Sequence, residues 1–232
     1  PTGDTIGNTT MAVYAIAEGY TSSTASRNIT IVAPDFIKGS LTQTGIKEGD
    51  PGFTDTDGRK YYTVKIAGKT WMKQNYAGGK VGRPYYDSKA MLMLFGKYYT
   101  WNEAQNVCPA GWHLSSDSEW QEMLDTYGTQ AGAYMVNAVF NLEEKLWPYW
   151  PEVKITNASG LSALSTGYGY QKTDDSYSFI NYGNYCMFWT AGEKDGMGHF
   201  KYINVKTVGI MDGYTGKDDV IASVRCVQDS EN

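Results

Sequence analysis

The sequence predicts a fold of small β-sheets and loops into which two short helices are set. Its 19 Tyr, 26 Gly and 7 Trp favour loops and sheets over a helical bundle. Several segments, YYTVKI among them, alternate apolar and polar residues with the period-two pattern of strands. The stretch Tyr99 to Met123, YTWNEAQNVCPAGWHLSSDSEWQEM, carries helix signals twice.

Within that stretch Trp101, Ala104 and Cys108 recur at the spacing of one helix face, while Asn102, Glu103, Gln105 and Asn106 fall on the other. Pro109 and the turn pair Ala110-Gly111 stop this first helix. Trp112, His113 and Leu114 follow as an extended segment. Ser116 then opens a second helix with Glu119 as its capping-box partner, and Trp120, Met123 and Leu124 form the apolar stripe.

Toward the N-terminus, Met11 to Ala17 and Ile29 to Val32 read as two strands separated by turn residues. Two strands cannot bury a core alone. The pattern AIAEGYTSSTASRNITIV resembles the closing strands of immunoglobulin-like modules of bacterial surface proteins; a hairpin packed on the main domain is the other reading. On the first, residues 1–36 are a remnant of such a module, 37–50 a linker and 51–232 the main domain.

Inside the main domain, Tyr61 to Ile66 and Thr70 to Met72 form a hairpin about Ala67-Gly68-Lys69. Asp55, Asp57 and Gly58 look like the opening of a calcium loop, but the twelfth position, which needs a bidentate glutamate, is Ile66. A turn held by Asp side chains bonding to backbone is expected instead. Tyr85 to Tyr99 reads as a buried strand or connector. Ala131 to Trp147 has helix-compatible apolar spacing weakened by Gly132. Tyr168 to Trp189 suits strands with exposed loops. Tyr202 to Val208, a turn at Asp212-Gly213 and a strand from Ile221 to Val227 close the domain.

A net charge of -5 and a pI near 5.1 argue against a nucleic-acid binder. No apolar run reaches the roughly 18 residues of a transmembrane helix. The chain starts at Pro1 without a signal peptide, so a cytosolic protein or a trimmed portion of an exported one is expected. Three cysteines are too few for a disulfide-dense scaffold and show no zinc spacing. Cys108 and Cys226 sit in strongly apolar surroundings, so either reads as a plain buried thiol on its residues alone, and Cys186 reads as a small buried hydrophobe.

No catalytic constellation emerges. His113, in WHL, reads as a satisfied core histidine and His199, in GMGHF, as a near-surface one. No G-x-S-x-G elbow occurs, and Glu143-Glu144 and Glu119 with Glu122 lie too close in sequence for a glycosidase pair. Asp174-Asp175 and Asp218-Asp219 read as solvated loop charges. The most conspicuous aromatic cluster is Trp147-Pro148-Tyr149-Trp150-Pro151. Such proline-held rings either stack on the apolar faces of sugars or pack back on the core.

Taken in order, DTDGRKYYTVKIAGKTWMKQN, YYTWNEAQNVCPAGWHLSSDSEW, GLSALSTGYGY, FWTAGE and SVRCVQD resemble the Fibrobacter succinogenes major paralogous domain family over about residues 51–229. That family is abundant in secreted and surface proteins of gut bacteria. Lys73 and Ser115 depart from its usual alanine and proline. A more distant likeness links TWNEAQNVC, GWHL and the capped helix to C-type lectin-like domains and to formylglycine-generating enzymes. It implies an α+β fold, with two helices flanking small antiparallel sheets and a long loop region between roughly Trp147 and Asp219. It also implies a disulfide between Cys108 and Cys226. The calcium-holding triplets of true lectins, Glu-Pro-Asn and Trp-Asn-Asp, are absent, and no closely spaced cysteine pair remains for formylglycine chemistry.

The resemblance implies an extracellular, non-enzymatic binding or adhesion module of a surface protein, its parent anchored at the outer membrane as a lipoprotein. No cofactor is expected, calcium being unsupported by a motif, and no membrane insertion by this segment. The expected partner is a glycan, contacted through Trp147, Tyr149, Trp150, Tyr168, Tyr170, Tyr177 and Tyr182. The alternative is a structural or protein-binding module of a surface assembly; an enzyme remotely related to formylglycine-generating enzymes trails both.

Overall fold

In the computed structural model, the described residues are 7–14, 24–31, 51–140, 144–148 and 150–230. Strands β1 (Gly7–Tyr14) and β2 (Thr24–Ile31) pair antiparallel, Gly7 facing Ile31 and Tyr14 facing Thr24. Each starts several residues before the strand that the sequence suggested. The whole 37–50 linker lies outside the described residues, as does Tyr149.

The main domain opens with β3 (Pro51–Thr54), β4 (Lys60–Ile66) and β5 (Lys69–Met72). Ala67 and Gly68, at φ 51° and 81°, make the two-residue turn joining β4 to β5, a backbone twist that matches the twist of the flanking strands. The Asp55 turn is as expected: its carboxylate accepts from the amides of Asp57 and Arg59 and from the Tyr61 hydroxyl.

Next come α1 (Lys89–Phe95), α2 (Trp101–Ala104), β6 (Trp112–Leu114) and α3 (Asp117–Tyr127). The short pair β7 (Val139–Phe140) and β8 (Glu144–Lys145) follows. The rest is sheet: β9 (Tyr168–Gln171), β10 (Tyr177–Ile180), β11 (Tyr185–Lys194), β12 (Met197–Asn204), β13 (Met211–Thr215), β14 (Val220–Ile221) and β15 (Cys226–Gln228). The main sheets are antiparallel, in the orders β3-β4-β5-β15-β6, β11-β12-β13 and β10-β9-β14.

This corrects the predicted fold class. The described chain is mostly β, not α+β: of what the C-type lectin-like likeness implied, the small antiparallel sheets and the disulfide are present, but the flanking helices and the long loop region are not. Its three α-helices hold only 7, 4 and 11 residues, too little to flank the sheets as a layer. The supposed loop region between Trp147 and Asp219 holds β9 to β13. Helix α2 stops at Ala104, so Cys108 lies beyond it in a turn, from which it reaches Cys226. Among its described residues the Ala131–Trp147 segment forms no α-helix, only a single 3-10 turn at Ala131–Ala133. At Gly132 a Cβ would stand 2.0 Å from the Lys154 carbonyl, and the Gly132 carbonyl accepts from the amides of Thr156 and Asn157. Cross-chain pairing there wins over helix propensity. Asp212 and Gly213 lie inside β13 rather than in a turn.

Helix α3 matches its prediction. Ser116 and Glu119 form the reciprocal capping box, and Trp120, Met123 and Leu124 are buried. Trp120 meets Trp71 edge to face at 5.4 Å, in a core cluster that includes Trp147 and Phe188. A second cluster gathers Tyr99, Trp101, Trp112, Trp189 and Cys226. The Cys108–Cys226 disulfide, 5.9 Å between Cα atoms, ties the turn after α2 to β15.

Arg225 is fully buried without a carboxylate. Its guanidinium donates to Asn75 Oδ1 and to the carbonyls of Met72, Leu161 and Ser162, and sits over the Phe188 ring. Burial lowers its pKa to about 9. Beside it, burial pushes the Cys186 thiol up to about 12, so that cysteine behaves as the small hydrophobe its sequence suggested.

Candidate functional site

Strand alternation builds an aromatic ladder across two sheets. In β12, Phe200 and Tyr202 point to the same face, and Met211 and Gly213 of β13 lie opposite Tyr202 and Phe200. Tyr185 of β11 is diagonal to Tyr202, and their rings stack at 5.1 Å with an interplanar angle of 19°. The Gly167 amide donates to the Tyr185 carbonyl, and Gly167 bridges Cys186 in parallel, joining β9 to β11. Only glycine fits there: φ is 66°, and a Cβ would stand 2.2 Å from the Ile180 carbonyl. Tyr168, the next residue, therefore packs on Tyr185 at 5.5 Å, and Tyr170 continues the row two residues on.

The row runs Tyr170, Tyr168, Tyr185, Tyr202, Phe200. Tyr170 is 39% exposed and Met211, at its far side, 44% exposed, while the rings between are half-buried. Buried tyrosines elsewhere use their hydroxyls internally: Tyr61 on Asp55, Tyr98 on Thr166, Tyr99 on Gly78. The hydroxyls of Tyr168, Tyr170, Tyr185 and Tyr202 make no hydrogen bond among the described residues. Burial, with Tyr202 beside it, raises the Tyr185 phenol above its usual range, keeping it a neutral donor at physiological pH.

The opposite face of the β11-β12-β13 sheet joins the apolar core at Cys186, Phe188 and Ile203 and is charged around His199. His199 is only 4% exposed; its Nδ1 lies 2.5 Å from Asp117 and its Nε2 2.9 Å from Asp212. Tyr214 stacks on the imidazole at 4.6 Å, and Lys201 pairs with Asp212. Burial opposes ionisation of Asp212, but Lys201 and His199 outweigh it and hold its carboxyl below the usual range. His113 is 40% exposed and bridges Glu119 at 2.9 Å and Asp229 at 2.6 Å. The two histidines thus exchange the environments expected of them: His199 is the buried one, because its strand faces α3 and β13. Among the described residues, no group of three or more His, Cys, Asp or Glu is arranged to hold a metal ion.

Of the seven residues expected to contact ligand, the six that are described do not form one surface. Trp147 and Trp150 border a cavity of about 210 Å³. Trp147 is 1% exposed with its indole donating to the Ala163 carbonyl, so it is a floor residue and not a surface stacking plate. Trp150 is half-buried with the Lys206 ammonium 5.6 Å from its ring. Tyr168 and Tyr170 belong to the ladder. Tyr177, opposite Gln171, points to the other face of its sheet, where Arg83 covers its ring at 4.1 Å. Tyr182 packs on Tyr85 and Phe95. Tyr149 is outside the described residues.

Sequence reasoning missed Tyr185, Phe200 and Tyr202. The signal was the alternation in HFKY, but the strand was placed from Tyr202 onward, and register with Tyr185 is invisible in sequence. A polar depression of about 390 Å³ beside Arg59 and Gln74 is already knitted internally, Arg59 to the Leu92 carbonyl and Gln74 to the Tyr62 amide.

No helix among the described residues is long and apolar enough to cross a membrane. No curated protein and no solved structure matches the chain. The family model of the Fibrobacter succinogenes major domain matches residues 64–228, which include every strand of the ladder and both disulfide cysteines. Over more than half its length, then, the chain carries that domain, and it belongs to the Fibrobacter succinogenes major domain family.

Proposed function

We propose that this domain is a non-enzymatic glycan-binding module of an exported bacterial surface protein, with the tyrosine ladder as its contact surface. The carrying observation is a row of rings, exposed at Tyr170 and half-buried at Tyr168, Tyr185 and Tyr202, whose phenol hydroxyls make no hydrogen bond among the described residues. A sugar presents apolar C–H faces and hydroxyls together, and a row of tyrosines answers both with little side-chain entropy to lose. The groups that resemble reactive chemistry are otherwise engaged. The Cys186 thiol is buried and held protonated, and His113 and His199 are each clasped between two carboxylates.

The Cys108–Cys226 bridge supports an oxidising, extracellular setting. The β1–β2 hairpin is read as the end of an upstream immunoglobulin-like module, as surface proteins built from strung domains would have. A protein-binding role is favoured by a different feature: β13 is an edge strand carrying exposed Met211 and Tyr214. The two readings separate by titrating soluble oligosaccharides into protein labelled on tyrosine rings and following their NMR signals. Shifts confined to the ladder rings support glycan binding, and shifts nowhere across a broad oligosaccharide panel would shift the assignment to the β13 edge.

A further inference from the structure

The cavity beside Trp147 has a chemistry unlike the ladder. Its floor is apolar, made by Met135, Trp147, Val153 and Val205, all buried. The Trp147 indole N–H, its one polar atom, is already bonded to Ala163. Two lysines, Lys145 and Lys154, both exposed, are among its lining residues, and the ammonium of a third, Lys206, lies 5.6 Å from the ring of Trp150, which forms one wall. Among the described side chains neither Lys145 nor Lys154 has an ion pair, and Glu152 is exposed on the same loop. Two lysines lining one small cavity, with a third against its Trp150 wall, stand out on a chain of net charge -5.

We infer that this cavity binds a small apolar carboxylic acid, its hydrocarbon part on the Met135–Trp147–Val205 floor and its carboxylate at Lys145 and Lys154, with the Lys206 ammonium beside the Trp150 wall adding positive charge. Apolar burial supplies attraction without direction, while the lysines fix which end stays at the mouth. A neutral sugar fits less well: hydroxyls laid on the Met135–Trp147–Val205 floor would lose water without gaining a partner, and the sugar brings no charge to answer Lys145 and Lys154. At about 210 Å³ the space takes a single ring or a short alkyl chain. The site is separate from the ladder, so its fate is independent of the glycan assignment.

The test uses the full chain and two matched pairs of probes, phenylacetate with phenylacetamide and hexanoate with hexanamide, followed by tryptophan fluorescence and by the indole N–H signals in NMR spectra. Both acids should saturate and shift the Trp147 and Trp150 indoles, with the amides at least tenfold weaker. The Lys145→Gln/Lys154→Gln/Lys206→Gln variant, altered only at exposed positions, should melt with the parent and bind the acids at least tenfold less. Tyr185→Ala should leave acid binding unchanged. Absence of saturable acid binding, equal binding of acids and amides, acid affinity that survives in the triple variant, or tighter binding of glucuronate than of phenylacetate would each overturn the assignment.

Discussion

Tyr185 and Tyr202 stack diagonally across β11 and β12, their ring centroids 5.1 Å apart and their planes within 19° of parallel. This contact joins the Tyr168 end of the ladder to the Phe200 end. An aromatic pair contributes about 0.5–1.5 kcal/mol beyond its buried area. A double-mutant cycle with Tyr185→Leu and Tyr202→Leu, read by urea unfolding, should return a coupling in that range. Additive losses would mean that the rings are neighbours without interacting.

Gly213 lies directly beneath Phe200, where a Cβ would come 2.2 Å from the ring. Gly213→Ala should therefore cost about 1–3 kcal/mol by overpacking and displace Phe200 from the row. Thermal denaturation measures the first effect, and the Phe200 ring shifts in NMR spectra the second.

Arg225 satisfies three backbone carbonyls and Asn75 from a fully buried position. Lysine offers a charge but not the planar fork, so Arg225→Lys should leave buried acceptors without donors at about 1–3 kcal/mol for each group orphaned. Chemical denaturation should show that loss, and a variant as stable as the parent would mean that the carbonyls find other donors.

Burial disfavours the charged form of His113, but its hydrogen bonds to Asp229 and Glu119 and their charges outweigh this and raise its pKa above 6.5. The charged form is then the one the fold favours. Its contribution is fully present below the unfolded value of about 6.5 and is lost as pH rises through the raised folded value. Stability measured from pH 6 upward should fall more steeply in the parent than in His113→Gln. Parallel profiles would contradict the linkage.

The Cys108–Cys226 bridge closes a loop with a sequence separation of 118. Loop entropy assigns such a crosslink about 5 kcal/mol. Cys108→Ala/Cys226→Ala should unfold at much lower denaturant, and reductant should destabilise the parent without affecting this variant.

Features written into neighbouring residues were legible in the sequence. The Ser116–Glu119 cap and the Ala67-Gly68 turn are decided within four residues, so local chemistry suffices. Helix α1 was not legible, because MLMLF is apolar throughout and lacks the polar contrast that reveals a period; Ser88 was its sole cue. Trp147 shows the ambiguity of an aromatic: Pro148 beside it suggested display, but whether its ring faces water depends on Met135, Val153 and Val205, distant in sequence. The ladder depends on register. Tyr185 meets Tyr202 only because β11 and β12 pair as they do, with the irregularity between Trp189 and Glu193 confined to the far end of the hairpin.

The most direct measurement is binding of the folded domain to a broad glycan array, comparing the parent with Tyr185→Ala/Tyr202→Ala and with Trp150→Ala. The ladder assignment predicts binding by the parent and by Trp150→Ala, and its loss in the double variant at unchanged fold. Binding that survives in the double variant and disappears in Trp150→Ala, or a blank for the folded parent, would contradict it.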